Sequence, residues 1–390
     1  MPRMSTLGYR TAGESHGPAL TVLVEGLPAG VRVDLDLINA ELRRRQGGYG
    51  RGGRMKLERD TATLLAGVRQ GRTTGAPLVM QIPNRDARLE TAPPVHRPRP
   101  GHADFAGSMK WLTIDCRETL ERASARETAA RVAAGALAKG LLGEFAVVCV
   151  GFVAEIGAVR ATIAAEVAPD ELARMRDANE VYTPDAAAVD AMVAAIRAAK
   201  VAQDTLGGVV EVRVFGVPPG LGTCAAWQDK LDGRLMQAVG SIQAIKGVEI
   251  GLGFEAARRP GSEVHDAICF DTAQRDRPNF GFVRKTNRAG GLEGGMTNGQ
   301  PIVVRAAMKP IATLLQGMES VNLRTLRPER SDYERSYVCA VPAASVVAEN
   351  VVAFEIARAW LAKFGGDTLS AVRAAYDSYC DAARRLGGPP

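Results

Sequence analysis

The sequence predicts an α+β fold, on three grounds. Apolar runs of strand length are bounded by glycine and proline turns, segments with helical apolar spacing lie among them, and hairpin signals outnumber clean strand–helix alternations. Regular alternation would instead indicate a doubly wound parallel sheet. The 390 residues, 46% of them hydrophobic, are enough for a large core, and we expect one domain over 1–390 with a frayed tail at 381–390.

Composition excludes several classes of protein. Six cysteines are scattered without a Cys-x-x-Cys pair, which argues against a zinc ribbon and a disulfide framework, and we expect no metal. Neither a signal-peptide pattern nor an apolar run of about 18 residues is present, so we expect a cytoplasmic protein without membrane contact. A net charge of +6 suits an anionic small molecule or nucleic acid, but with 5% aromatic residues few rings could stack on single strands.

The first predicted strand, at 19–25, begins beside a candidate catalytic histidine. His16 lies in the stretch 11–18, TAGESHGP, with glycines on both sides. Glycine lets backbone approach a ligand closely, and imidazole titrates near neutral pH, so this stretch indicates a site that handles protons. An ordinary histidine on a turn is the alternative.

The helix predicted over 35–45 runs into a loop, 43–54, that contains five arginines and five glycines. Guanidinium groups bind phosphate and carboxylate oxygens, and glycines let backbone amides join them. We interpret Arg45, Arg51 and Arg54 as part of an anion-binding loop. A solvated basic loop and an RNA-binding segment stay open, although such RNA-binding segments are longer and more repetitive.

A hairpin predicted from strands at 61–68 and 76–82 is followed by a proline-rich run that leads to a second histidine. His102 has Arg99 three residues before it and Asp104 two after it. Asp104 could orient the imidazole, or Arg99 and Asp104 could simply pair at the surface.

Later segments follow the same mixed pattern. A helix is predicted from Leu120 through Leu142, with Ser124 as its N-cap and Glu127 as the capping-box partner, and its arginines and hydroxyls suit an anion site or a purely structural helix. The glycine-dense stretch 287–300 predicts either a surface for a planar ring or phosphate, or a mobile loop. Strands are also predicted at 147–153, 209–215 and 301–308, a peripheral helix around 189–196, and a helix from 339 with Val347, Val351, Phe354 and Leu361 on one face.

Taken together, three stretches resemble the signatures of the chorismate synthase family: the His16 stretch, residues 121–126 with the following helix, and residues 335–349. The similarity runs from about residue 7 to 369. It implies a carbon–oxygen lyase of the shikimate pathway, which eliminates phosphate from 5-enolpyruvylshikimate 3-phosphate in an anti-1,4 sense to give chorismate. It also implies a β-α-β sandwich of two similar halves, with helices packed between antiparallel sheets, assembled as a homotetramer.

The resemblance assigns roles to residues. His102 would protonate the leaving phosphate, and His16 would keep a proton near the N1 region of reduced FMN. The substrate positions are Arg45, Arg51, Arg54, Arg99 and Arg126. The FMN positions are Arg122, Ala123, Ser124, Gln243, Ala244, Gly295, Lys309, Pro310, Ile311, Ala312, Thr313 and Arg335. Where a family member reduces its own flavin with NADPH, Arg45 and Arg51 are the positions involved. Whether this chain does so, or depends on a separate flavin reductase, stays open.

One position departs from the family pattern. Tyr337 stands where the third signature has an aspartate, and a phenol is a far weaker base than a carboxylate at neutral pH. Asp332 has similar neighbours in the sequence, but five residues is not a same-face spacing in a helix or a strand. Tyr337 leaves open a weakly active or inactive flavin-binding relative, and the basic charge with the arginine-rich run 43–54 leaves a remote second alternative, a basic nucleic-acid-binding protein.

Overall fold

The computed structural model describes residues 7–51, 59–332 and 337–386. The strands of the first part are β1 (Gly8–Ala12), β2 (Ala19–Glu25), β3 (Thr63–Ala66), β4 (Val68–Arg69), β5 (Arg72–Thr73) and β6 (Leu78–Pro83). Four of them form an antiparallel sheet in the order β1-β2-β6-β3. The predicted strand at 19–25 and the predicted hairpin are confirmed, and β4 and β5 pair as the hairpin's tip.

The second sheet is also antiparallel, in the order β10-β15-β9-β7-β8. The remaining strands are β7 (Val148–Ile156), β8 (Val159–Arg160), β9 (Gly208–Phe215), β10 (Ile245–Ile250), β11 (Ile268–Phe270), β12 (Phe282–Arg284), β13 (Leu292–Glu293), β14 (Met296–Thr297), β15 (Ile302–Met308), β16 (Glu319–Val321) and β17 (Pro328–Arg330). The pairs β11–β12, β13–β14 and β16–β17 are small separate hairpins. The strands predicted near 147, 209 and 301 are therefore confirmed with small shifts at their ends.

The helices of the described residues are α1 (Leu35–Gln46), α2 (Asp104–Trp111), α3 (Arg117–Ala123), α4 (Thr128–Gly143), α5 (Pro169–Asp177), α6 (Val189–Val201), α7 (Leu231–Gly240), α8 (Val341–Lys363) and α9 (Leu369–Arg384). Three of them, α1, α4 and α8, form the layer between the two sheets. Helix α4 packs on β2 and β6, α8 packs on β7 and β9, and the two helices pack on each other with α1 beside them. One hydrophobic core spans both sheets and these helices, which confirms the α+β sandwich.

The last long helices differ from their sequence patterns. The predicted apolar face on α8 was too narrow, because α8 lies between α4 and the second sheet and is buried on nearly all sides. A Cβ atom at Gly135 of α4 would lie 2.2 Å from the carbonyl oxygen of Asn350 in α8, so glycine permits this close approach. Part of the tail expected at 381–390 is helical, because α9 extends to Arg384 with Ala383 buried. Residues 387–390 lie outside the described part.

Within the described residues, no helix is long and apolar enough to cross a membrane.

Candidate active site

His16 lies in the loop between β1 and β2 and is held by a carboxylate of α3. Its Nδ1 lies 2.8 Å from Oε2 of Glu121, and its backbone N–H donates to the same oxygen at 3.1 Å. The other oxygen, Oε1, accepts from Arg117 Nη1 at 2.8 Å. Burial raises the pKa of Glu121, but the hydrogen bond and charge of His16 and those of Arg117 outweigh burial and leave the pKa below its usual range. Glu121 therefore fixes the orientation of the His16 imidazole through Nδ1, and Nε2 is the ring nitrogen that Glu121 does not contact.

The Nε2 side of His16 faces Asp86, which pairs with Arg88, and the sequence analysis gave neither residue a role. Asp86 Oδ2 lies 3.6 Å from Nε2, and Asp86 Oδ1 lies 3.2 Å from Arg88 Nε. Ala19 of β2 pairs with Pro83 of β6, so the residues that follow β6 lie beside the loop that precedes β2. The antiparallel pairing is the signal that could have indicated them, but the sequence does not show which strands are neighbours.

His102 has a comparable carboxylate partner. Its Nδ1 hydrogen bonds with Oδ1 of Asp104, a fully buried residue at the start of α2. Arg99 donates to both carboxylate oxygens of Asp104, from Nε at 2.8 Å and from Nη2 at 3.0 Å, and from Nη1 to Thr313 Oγ1 at 3.0 Å. Burial raises the pKa of Asp104, whereas the hydrogen bonds from His102 and Arg99 lower it well below its usual range. Asp104 thus contacts the His102 imidazole and also pairs with Arg99, so both interactions that the sequence left open are made. The Arg99–Asp104 pair lies in the interior and not at the surface.

Two further arginines share one buried carboxylate. Arg45 donates from Nε to Thr128 Oγ1 at 2.9 Å, from Nη1 to Asp60 at 3.3 Å and from Nη2 to the Ala125 carbonyl at 3.0 Å. Arg126 donates from Nη1 to both oxygens of Asp60 at 2.7 Å. Arg51 lies with its guanidinium carbon 4.5 Å from the centroid of the Tyr337 ring, a cation–π contact. Cationic side chains therefore cluster around the two histidines.

The opposite wall comes from the second sheet. Gln243 and Ala244 precede β10, and 309–313 follows β15. Ala244 has a φ of +67°, a conformation that non-glycine residues rarely adopt, and its carbonyl accepts from the Lys309 N–H at 2.9 Å. The Oε1 of Gln243 is buried without a hydrogen-bond partner among the described residues. Burial, with the charge of Lys246, lowers the pKa of Lys309.

A helix break completes the site. The continuous helix predicted from 120 to 142 is wrong, because Ser124 is extended, with φ −61° and ψ 140°, and separates α3 from α4. Its side chain accepts from the Arg126 N–H at 3.2 Å, so Ser124 does cap the short 3-10 turn that follows. Glu127 does not complete a capping box: its carboxylate bonds to Thr11, Arg131 and Gln243 instead. The break turns residues 123–126 toward the histidines.

These side chains line one cavity of about 400 Å³. The residues predicted from sequence that line it are His16, Arg45, Arg51, Arg99, His102, Ala123, Ser124, Arg126, Gln243, Ala244, Lys309, Ile311, Ala312 and Thr313. Asp86, Arg88 and Tyr337 also line it. Within the described residues, no three His, Cys, Asp or Glu side chains group as a metal site requires.

Other predicted residues lie elsewhere. Arg122 is exposed and donates to the carbonyls of Gly13 and Thr11 rather than lining the cavity. Gly295 lies at the β13–β14 turn, where its carbonyl accepts from the Leu231 N–H. Pro310 lies between lining residues without being one of them. Arg54 and Arg335 lie outside the described residues. Asp332 pairs with Arg97 and does not line the cavity.

Comparison with known proteins decides the family. The family model described as Chorismate synthase matches residues 7–361. The chain belongs to the chorismate synthase family. It is similar to the chorismate synthase of Geobacter sulfurreducens, with 53% identity over 394 residues that cover 97% of this chain and 99% of the relative. That of Desulforamulus reducens is 51% identical over 392 residues, covering 97% and 100%.

A solved structure agrees with this assignment. "Crystal Structure of Chorismate Synthase" matches with a TM-score of 0.81 and 40% identity, covering 98% of this chain and 100% of that one. The prediction of a shikimate-pathway lyase that forms chorismate from 5-enolpyruvylshikimate 3-phosphate is confirmed. The comparisons lend no support to the inactive-relative or nucleic-acid-binding alternatives.

Proposed function

We propose that this cavity holds reduced FMN and 5-enolpyruvylshikimate 3-phosphate together, with His16 and His102 as the two proton-handling groups. The observation that carries the proposal is the pair of histidines, each bonded through Nδ1 to a buried carboxylate and both lining one cationic cavity. A carboxylate at Nδ1 orients the ring and stabilises its protonated form, and Nε2 is then the atom that exchanges a proton with a ligand.

The cavity's charge suits this substrate. The substrate has a phosphate and two carboxylates, and planar guanidinium groups bind such oxygens in a bidentate manner. The donors of Arg99 and Arg45 are largely taken by protein partners. Arg126 Nη2 has no partner among the described residues, and the side chain of Arg88 is 52% exposed at the cavity. We therefore assign direct binding of the substrate's anionic groups to Arg126 and Arg88. Arg99 and Arg45 instead hold neighbouring residues of the site in place, Arg99 through Asp104 and Arg45 through Asp60.

The opposite wall of the cavity, formed by residues 243–244 and 309–313, fits a flavin. A flavin ring presents a flat surface with a hydrogen-bonding edge, and Gln243 offers a buried Oε1 that lacks a partner. The strained backbone at Ala244 and the segment 309–313 place main-chain groups at the same wall, and such strain concentrates at ligand sites. Ser124 and Ala123 face it from the helix break. Reduced FMN, when bound there, supplies the electron density that an elimination without net redox change needs.

The two histidines have separate tasks. His102 gives its Nε2 proton to the phosphate as the carbon–oxygen bond breaks, and Asp104, itself held by Arg99, keeps the ring in place through Nδ1. His16, held by Glu121, keeps a proton available near the N1 region of the flavin, the role that the family resemblance gives it. Tyr337 lies over Arg51 and offers a hydroxyl where the family has a carboxylate.

The test is an anaerobic assay with chemically reduced FMN and 5-enolpyruvylshikimate 3-phosphate, in which chorismate absorbance and released phosphate are followed together. Equal amounts of both products are expected. His16→Ala and His102→Ala should each lower kcat by about 10²- to 10⁴-fold. The exposed His265 provides a matched control, since it does not line the cavity and His265→Ala should leave kcat unchanged. Wild-type turnover by either site variant would refute the assigned roles.

The remaining features of the proposal follow from the family resemblance. A homotetramer would cover exposed apolar side chains such as Trp111 and Leu112, and sedimentation analysis would establish the oligomer. Free thiols at all six cysteines agree with a cytoplasmic location.

NADPH consumption by the purified protein with FMN would assign flavin reduction to this chain, with Arg51 as a contact. Without consumption, a separate flavin reductase is required.

A further inference from the structure

Asp60 lies behind the cavity wall and has no assigned role in this reaction. Its side chain is fully buried, and it does not line the cavity. One carboxylate oxygen, Oδ2, accepts from both Arg45 Nη1 and Arg126 Nη1, at 3.3 and 2.7 Å. The other, Oδ1, accepts from Arg126 Nη1 at 2.7 Å. A single carboxylate thus joins two arginines that come from different parts of the chain.

The backbone around Asp60 is fastened to α1. Its N–H donates to Gln46 Oε1 at 3.0 Å, and the N–H of Ala62 donates to Asn39 Oδ1 at 2.9 Å. Because Arg45 belongs to the same helix, the carboxylate and one of its two arginines are held by one rigid element. The position of Arg126, which lies outside that helix, then depends on Asp60.

The other contacts of Arg126 define which donor is left for a ligand. Its Nε donates to Asn84 Oδ1 at 2.8 Å, and its Nη1 donates to Asp60. These bonds fix the guanidinium plane, and Nη2 is buried without a partner among the described residues. An unsatisfied buried donor is costly, and an anionic oxygen in the adjoining cavity would relieve that cost.

Asp60 also balances charge. Arg45, Arg51 and Arg126 all line the cavity. Burial lowers the pKa of Arg45 and the charge of Asp60 raises it, while Arg126 and Arg51 lower it further. Two guanidinium groups that share one carboxylate stay close despite their mutual repulsion.

We propose that Asp60 is a positioning residue for substrate binding: it holds Arg126 against Arg45 so that Arg126 Nη2 meets an anionic oxygen of the substrate. This inference rests on the proposed substrate site. The oxygen belongs either to the phosphate or to a carboxylate, and Asp60 itself touches neither.

The first test compares kinetic constants. Asp60→Asn keeps the shape but loses the charge, and we expect KM for 5-enolpyruvylshikimate 3-phosphate to rise at least tenfold while kcat changes less. Asp60→Glu retains the charge and should recover part of the loss. Glu211→Gln is the matched control, because Glu211 is a buried carboxylate that pairs with Arg213 at 2.7 Å and does not line the cavity. It should lower stability without changing KM. An unchanged or lower KM in Asp60→Asn would overturn the proposal.

A second comparison remains decisive if Asp60→Asn folds poorly. The double variant Asp60→Asn/Arg45→Gln removes one charge of each sign, so it keeps the net charge of the wild type. Measured against Arg45→Gln alone, it isolates the effect of Asp60 through Arg126. We expect a KM at least fivefold higher in the double variant, and equal values would refute the role.

Two inhibitors identify the oxygen. Weaker inhibition by inorganic phosphate in Asp60→Asn, with inhibition by shikimate unchanged, assigns it to the phosphate. The reverse pattern assigns it to a carboxylate, and no change in either contradicts the proposal. Calorimetric titration of 5-enolpyruvylshikimate 3-phosphate into each variant separates this inference from the catalytic roles, because binding is measured without turnover.

Discussion

Replacing Glu349 with glutamine should be among the most destabilising single changes of this chain. Glu349 lies in the middle of α8, and its side chain is 1% exposed. Its Oε2 accepts from Arg44 at 3.1 Å, Arg176 at 3.0 Å and the Gly151 backbone at 2.9 Å, and its Oε1 accepts from Lys139. These partners belong to α1, α5, β7 and α4, so one carboxylate connects both halves of the sandwich.

The magnitude follows from the charges. Three cations, Arg44, Lys139 and Arg176, surround Glu349, and the second buried carboxylate nearby, Glu41, accepts from Arg44 at 2.8 Å and lies 3.1 Å from Lys139. Glutamine keeps the shape but leaves these buried cations short of one negative charge. Removing one partner of a buried ion pair costs about 3–5 kcal/mol. Because a folded domain is stabilised by about 5–15 kcal/mol, the loss is a large fraction of the total.

The assay is urea-induced unfolding at pH 7, followed by far-ultraviolet circular dichroism and tryptophan fluorescence. Glu171→Gln is the control, since Glu171 forms an exposed i,i+3 pair with Arg174 and should change the free energy of unfolding by less than about 1 kcal/mol. A loss below about 1 kcal/mol in Glu349→Gln would show that water screens the network, and the reasoning from burial would be wrong.

Three more outcomes are expected. Gly135→Ala should destabilise the protein by about 1–3 kcal/mol because a Cβ would collide with the α8 backbone, whereas Gly143→Ala in the same helix meets nothing within 4 Å and should be neutral or stabilising; equal melting temperatures would contradict this. Burial raises the pKa of Glu349, but its cationic neighbours lower it well below the unfolded value, so its stabilisation is complete above about pH 4.3 and lost as the pH falls through the folded pKa. Unfolding of wild type and Glu349→Gln from pH 7 to 3 checks this, since the wild type should lose more. Tyr337→Asp should raise kcat in the anaerobic assay, because a carboxylate is a far stronger base than a phenol, and Tyr337→Phe, which retains the ring over Arg51, is its control; an aspartate variant no faster than the parent refutes this.

Local pattern was sufficient for most of the fold. Strand β2 has the predicted bounds, and helix α1 differs from its prediction by one residue, because apolar spacing and turn residues within these segments already specify them. The sequence indicated Ser124 as an N-cap, but it did not indicate that a separate helix, α3, ends there. Local propensity favours one continuous helix there, but the backbone on both sides of the break bonds to distant segments: the Glu121 carbonyl accepts from the Ser15 N–H, and the Ala125 carbonyl accepts from Arg45.

By itself, the sequence determined which functional groups the site contains. It shows two histidines next to glycines, clustered arginines, and three signature stretches whose order identifies the family. Only the tertiary structure decided how each group is used. Glu121 reaches His16 across 105 positions, and Asp60 reaches Arg126 across 66. Whether an arginine binds a ligand or a neighbouring carboxylate depends on burial and on partners brought together by strand pairing and helix packing, and spacing along the chain does not specify these.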